Sequence, residues 1–334
     1  MDRRNLYYDK LRIMAMLMVI GVHSVGSIKD YAVSTFAQAE VNILDALNTF
    51  GVPMFFALSG AFLLSRTYED LWDFYKKRLI KVGIPFLIYA SLYVVCDVGI
   101  DKPLLIPWMY LVKVFTGNVH GTFWFIYAIF GLYLATPFLS KMFKNMTDKE
   151  AAVLFYGCFA VNALNDLLSI VNYQFGVNNV IFNSANVFMF ICGYCSRRLK
   201  KNGLLPETFF KYRVVCITIL MVLYVVTRVA SFQSAAIILF MPDSTVLKVN
   251  EKGSRIIDFL AGKSYSIYLL HAAVISLILK LYDNWTDLFE IKVVMIYPVV
   301  LIITVIVVDI VDFLITDRVV AFIETGNVRR DGII

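Results

Sequence analysis

Charge, histidine and metal-type cysteine spacing are all scarce in this 334-residue chain. Charged residues make up 17% and hydrophobic ones 60%, well away from the roughly 25% charge of soluble globular domains. That balance excludes an ordinary water-facing surface. There are five cysteines, and Cys96, Cys158, Cys192, Cys195 and Cys216 all lie in or beside apolar runs. They show no metal-ligand spacing, so neither a disulfide framework nor a metal site is expected. Cys192-x-x-Cys195 sits inside an apolar run and reads as small-residue helix packing rather than redox chemistry. There is also no internal repeat, no low-complexity tract and no polar stretch of domain size. The chain 1–334 therefore reads as a single transmembrane domain with no separate soluble domain. The missing repeat argues against a transporter built from inverted halves.

What the chain has in abundance is apolar runs near the roughly 20 residues that span a bilayer. About ten are expected, at 11–28, 44–65, 79–99, 121–139, 151–171, 180–196, 213–230, 232–249, 256–279 and 293–316. The eighth is interrupted by Pro242, Asp243 and Lys248. This predicts an all-α integral membrane bundle. With the N-terminus inside, 25 of the 31 basic residues fall in cytoplasmic segments, so the positive-inside rule places both termini in the cytoplasm. The net charge of +6 is then explained by topology and anionic lipid, with no nucleic-acid partner. The first run is longer than a secretory h-region and reads as an uncleaved helix of a multi-pass inner- or plasma-membrane protein. Segment 66–78, rich in aromatics and charges, predicts an amphipathic helix on the cytoplasmic face. Segment 103–116 is too short to span and predicts an interfacial or re-entrant piece.

Ionisable groups inside such runs are costly and mark function by default. Arg12 and His23 share the first run. Eleven residues at 100° each return within about 20° of the same face, and they separate the two by roughly 16 Å along the axis. A snorkelling Arg with a packing His is the plainer alternative. Ser59-Gly60 offers a hydroxyl beside a close backbone approach. Arg78 and Lys81, three apart on one helix face, suit phosphate groups, although basic clusters there are also ordinary topology signals. Trp124 fits an aromatic belt as readily as a substrate site. Ser264, Tyr268 and His271 step by four and three into one polar stripe, either a structural network or part of a site. Asp309 and Asp312 are expected to pair with Arg318 and are not counted among the site residues.

Taken in order, several of these stretches resemble the membrane acyltransferase family 3. They are Tyr8-Asp-Lys-Leu-Arg12 with His23, Phe55-Phe-x-x-Ser-Gly60, and the basic stretch from Arg78 through Lys81 to Pro85. Trp124-Phe with Gly131-Leu-Tyr-Leu-x-Thr-Pro137, and Ser264-Tyr-Ser-Ile-Tyr-Leu-x-His271, complete the set. The resemblance runs essentially end to end and is to short, stand-alone glycan O-acetyltransferases. It implies transfer of an acyl group, usually acetyl from cytoplasmic acetyl-CoA as co-substrate, to a hydroxyl of an envelope polysaccharide or lipid-linked sugar. The family's Arg–His pair maps onto Arg12 and His23, and its Arg-x-x-Arg onto Arg78 and Lys81, where Lys replaces the second Arg. Close relatives often carry His two residues before the Trp, where this chain has Thr122, with His120 nearby. The chemistry agrees. A sugar hydroxyl needs a base, and neutral imidazole suits that task near pH 7. His23 is expected to be the general base and Arg12 the CoA phosphate anchor, assisted by Arg78 and Lys81. Ser59, Tyr268 and His271 are the candidates for stabilising the oxyanion. A multi-span transporter or an amino-acid-binding membrane domain is the alternative.

Overall fold

The computed structural model describes residues 6–99, 102–173, 185–241, 251–281 and 289–325. Among the described residues no strand occurs. In chain order the helices are α1 (Leu6–Ile28), α2 (Thr35–Asn48), α3 (Gly51–Leu63), α4 (Leu71–Arg78) and α5 (Ile84–Val98). There follow α6 (Ile106–Thr116), α7 (Trp124–Asn145), α8 (Asp148–Ile170), α9 (Ala185–Lys201) and α10 (Glu207–Lys211). The last five are α11 (Arg213–Thr227), α12 (Ala230–Phe240), α13 (Glu251–Leu281), α14 (Phe289–Val311) and α15 (Asp317–Thr325).

Seven stretches among the described residues are long and apolar enough to cross a membrane. They are Leu6–Tyr31, Thr35–Leu63, Leu71–Val98, Gly121–Asn145, Asp148–Ile170, Arg255–Leu281 and Lys292–Glu324. The spans expected at 213–230 and 232–249 correspond to the shorter apolar helices α11 and α12, and residues 242–249 lie outside the described residues. So do 180–184, the start of the span expected at 180–196, which continues as α9.

The chain forms two compact units, Met1–Thr67 with Ala135–Ala261, and Tyr68–Leu134 with Gly262–Ile334. The first is organised by close backbone approach. A Cβ on Gly60 would lie 1.6 Å from the Phe190 carbonyl oxygen, and one on Gly193 would lie 1.7 Å from that of Ala57. Helices α3 and α9 thus meet backbone to backbone, each supplying the glycine the other needs, as small-residue packing in lipid requires. Cys192 and Cys195 flank Gly193, buried and unbridged. Gly51 rests on α1, where an added Cβ would meet the Ala15 oxygen at 2.7 Å.

The span expected at 44–65 corresponds to the single stretch Thr35–Leu63, which is interrupted at Thr49–Phe50 into α2 and α3. Pro53 gives the reason, because it has no N–H for the Thr49 carbonyl and its ring crowds that oxygen. Beside the break the Thr49 hydroxyl donates to the Ala46 carbonyl at 2.6 Å and meets the Tyr224 hydroxyl at 2.8 Å. The start of α2 lies well before residue 44, capped by Ser34, whose Oγ accepts from the Ala37 N–H.

The second unit is held by side chains that hydrogen-bond across helices. Tyr89 donates to Asp312 Oδ1 at 2.9 Å, Tyr93 to the Leu269 carbonyl at 3.0 Å and Tyr265 to the Val82 carbonyl at 2.9 Å. Segment 66–78 is not a separate surface helix. Asp70 caps α4, and the chain runs through a π-helical turn at Leu79–Gly83 straight into α5. Pro85 accounts for the wider turn, since its missing N–H and bulky ring disturb the α-helical ladder one turn earlier. The short segment at 103–116 folds as α6, eleven residues with Trp108 and Phe115 exposed.

Candidate functional site

In the first unit the site is built on α1. Tyr8, Ala15, Met16, Val19 and Ile20 are buried, and at 100° per residue they bracket the direction shared by Arg12 and His23. Around Arg12 that face packs inward. Beyond Ile20 the buried residues Gly21, Ser24, Val25 and Ile28 lie on the opposite side, and Ser27, next to His23 on its own side, is exposed. Arg12 and His23 are each half-buried. The N-terminal end of α1 is fixed by Tyr7 and Tyr8, whose hydroxyls donate to the Phe240 and Met241 carbonyls at 2.5 and 3.0 Å.

Arg12 is not presented alone. Its Nη1 donates to Asp9 Oδ1 at 3.2 Å, and its guanidinium lies 6.0 Å from the centre of the Phe62 ring. Asp9 is almost wholly buried, while the Arg12 side chain is 35% exposed. The carboxylate thus orients the cation from below and leaves its outer edge accessible. Phe62 makes an edge contact with Tyr8 at 4.9 Å. Over the Tyr8 ring lies a second guanidinium, Arg197, at 5.3 Å, whose Nη1 donates to the Ala61 carbonyl at 3.1 Å. Reading the sequence missed both Asp9 and Arg197. Asp9 is visible as an i, i+3 carboxylate before Arg12, whereas nothing in the sequence links Arg197 to α1.

The direct line from Arg12 to His23 is closed by packing. Ala15, Met16 and Val19 are essentially unexposed along it, and Gly51 lies against Ala15 and Val19. The His23 carbonyl accepts from the Ser27 hydroxyl at 2.6 Å. Ser59 is half-buried on α3, one residue before the Gly60 contact.

The remaining expected residues belong to the second unit. Arg78 lies between two rings, 5.4 Å from the centre of Phe74 and 5.6 Å from that of Tyr133. Lys81 is exposed within the π-helical turn. The shared face expected for Arg78 and Lys81 assumed α-helical winding, and the wider turn changes that relation. Trp124 is 47% exposed at the start of α7.

Ser264, Tyr268 and His271 are all buried on α13. The Tyr268 hydroxyl donates to the Thr122 carbonyl, and His271 Nδ1 donates to the Tyr268 carbonyl at 2.5 Å. The bond to a carbonyl assigns the His271 proton to Nδ1 and leaves Nε2 as the acceptor nitrogen. The stripe is continuous with His120 through Thr122. The Thr122 N–H donates to His120 Nδ1 at 3.3 Å, and the two side chains meet at 3.0 Å. His120 Nδ1 is therefore an acceptor, capping the turn that precedes α7. Burial pushes the His120 imidazole below its usual range, which favours the neutral ring.

Asp312 does not pair with Arg318. It is buried and accepts from Tyr89, from Ser266 at 3.2 Å and from Lys263 at 2.9 Å. Arg318 lies over the Phe313 ring instead. Lys263 also reaches Asp317 at 3.4 Å. Among the described residues no cluster of three or more His, Cys, Asp or Glu could hold a metal.

Comparison with known proteins adds one finding. No curated protein and no solved structure matches the chain, but the family model described as an acyltransferase domain matches residues 5–312. That match runs from the half-buried Arg12 and His23 through the α3–α9 contact and the polar stripe of α13 to Asp312, across a chain of membrane-length helices, and the protein belongs to the acyltransferase 3 family of membrane acyltransferases.

Proposed function

We propose that the protein moves an acetyl group from cytoplasmic acetyl-CoA to a hydroxyl of a cell-envelope polysaccharide or lipid-linked glycan, in the plasma or inner membrane with both termini cytoplasmic. The observation that carries this reading is the α1 face shared by two half-buried groups, a carboxylate-oriented cation near one end and an imidazole three turns further on. Arg12 binds a CoA phosphate through charge-assisted hydrogen bonds, steadied by Asp9. His23 takes the proton of the acceptor hydroxyl as its oxygen attacks the thioester carbonyl. The C–S bond then breaks, and the departing thiolate takes the proton back from the imidazolium. Because packed side chains fill the direct line along α1, the pantetheine arm runs beside that face rather than over it. Ser59 is the candidate donor to the oxyanion in the first unit. In the second, Tyr268 and His271 are committed to backbone carbonyls and act as positioning residues. Arg78, stacked between Phe74 and Tyr133, is the candidate phosphate-binding cation of the second unit taken by itself.

The broken α2–α3 span favours a second reading, since interrupted helices also serve solute transport. Calorimetry on detergent-solubilised protein separates the two. Saturable acetyl-CoA binding by the wild type is expected, abolished in Arg12→Ala and retained in His23→Ala while transfer is lost. Wild-type protein that is monodisperse but binds no acetyl-CoA would overturn the enzyme reading in favour of transport.

A further inference from the structure

Between α8, α10, α11 and α12 of the first unit lies a cavity of about 450 Å³, within the range of small-molecule sites. Its walls include Phe155, Phe159, Phe209, Phe210, Leu220 and Leu239. The Tyr156 hydroxyl is turned away to the Leu204 carbonyl at 2.7 Å, a bond that also pins the segment leading into α10. With almost no polar group facing inward, the cavity offers ordered water none of the two to four partners it needs. Left empty, its walls would forgo dispersion contacts along their whole length. Because the cavity is open on one side, what enters it from the surroundings is apolar like its walls.

The charge beside the cavity identifies what that chain is attached to. Residues 197–213 carry Arg197, Arg198, Lys200, Lys201, Lys211 and Arg213 against a single acid, Glu207. Arg198 is committed to Asp148 at 2.6 Å. The Lys200 ammonium lies 4.3 Å from the centre of Phe210, a ring of the cavity wall, so positive charge stands directly against the apolar surface. Lys211 lies over the neighbouring Tyr212 at 5.5 Å. A ligand with an apolar tail and a negative head matches both the walls and the basic segment beside them.

We infer that this cavity is a binding site for an anionic glycerophospholipid, one acyl chain lying between α8 and α11 and the phosphate meeting Lys200 and Lys211. The site rests on the membrane reading of the chain and is independent of acyl transfer. It seats the segment joining α9 to α11 on the bilayer surface through a specific lipid.

The test uses full-length protein in vesicles doped with phosphatidylglycerol bearing a diazirine on its acyl chain, with the equivalent phosphatidylcholine in parallel. After illumination, labelled peptides are mapped by mass spectrometry. Phosphatidylglycerol adducts are expected to concentrate on 155–159, 205–220 and 235–239. They should fall to the level of the exposed α11 residues Val222 and Val226 when the cavity is filled by Ala235→Phe or, on its exposed rim, Ile219→Phe. Lys200→Gln, which leaves the cavity open, should lower phosphatidylglycerol labelling about five-fold, the effect of one basic residue at an anionic surface, and leave phosphatidylcholine labelling unchanged. Three results would each overturn the inference: even labelling over the whole of α11, equal labelling by the two lipids in the wild type, or protein–protein cross-links from the cavity in place of lipid adducts. If both filling variants fail to run as a single species, the Lys200→Gln arm decides alone.

Discussion

In the unit formed by 1–67 and 135–261, α3 and α9 meet where Gly60 and Gly193 let one backbone lie on the other. The unit formed by 68–134 and 262–334 has no such contact through its described glycines. There four tyrosines, Tyr89, Tyr93, Tyr265 and Tyr268, reach across to carbonyls or to Asp312. Lipid tails are as apolar as leucine, so helices gain nothing by hiding apolar surface from them and must hold together by close packing or by polar contacts. The first unit adds its glycine contact to bonds such as those of Tyr7 and Tyr8 to the Phe240 and Met241 carbonyls, whereas the second shows only the hydrogen bonds among its described residues. Backbone contact is all or nothing, because a single methyl group removes it. Hydrogen bonds between helices average about 0.6 kcal/mol and accumulate.

The sharpest way to break this contrast is Gly60→Val or Gly193→Val. Either forces Cβ into a carbonyl that cannot rotate away, and a loss of at least ~3 kcal/mol is expected, at the upper end of overpacking effects. Size-exclusion chromatography should show little monodisperse protein, and a normal yield would show that α3 and α9 can separate without harm. Next in size is Lys263→Met, which leaves the buried Asp312 carboxylate without its cation. Breaking such pairs costs about 3–5 kcal/mol, and the Tyr89 and Ser266 donors that remain reduce this to roughly 2–3. Adding Asp312→Leu should restore much of the thermal stability, and a double variant no better than the single would show that the carboxylate itself is needed. Tyr268→Phe should be milder, about 0.6 kcal/mol and no more than ~1.7, read as a small fall in melting temperature. The smallest effect concerns pH. His120 resists protonation in the folded protein, so the unfolded chain binds a proton that the folded one refuses once pH drops below about 6.5. Stability should therefore fall as pH decreases from 7.5 to 5.5. His120→Asn, which keeps a capping acceptor, should flatten that dependence without altering stability at pH 7.5.

How much of this was legible in the sequence differs by element. The first helix was readable because its apolar run is unbroken, and helical periodicity puts Arg12 and His23 on one face, where each is half-buried. The break at Thr49 was not read, although Pro53 is in plain view, because the apolar character of 44–65 hides a local ladder defect. The same holds at Leu79–Gly83, where the basic cluster masked the effect of Pro85 on winding. Asp312 was set aside because local spacing points to Arg318, whereas its partner Lys263 lies 49 positions earlier and is joined only by the fold. Arg197 is beyond sequence reasoning for the same reason. Ser59-Gly60 showed that something must come close but did not name Phe190.

The reciprocal glycines also set a timetable for synthesis. Gly60 enters the membrane 133 residues before Gly193, a lag of roughly 7 to 27 s at 5–20 residues per second. For that interval the nascent chain has a notch on α3 with no helix to fill it, and the stretches already made must wait in the bilayer for a partner still inside the ribosome. Insertion factors that shelter short-lived membrane intermediates have that window in which to act.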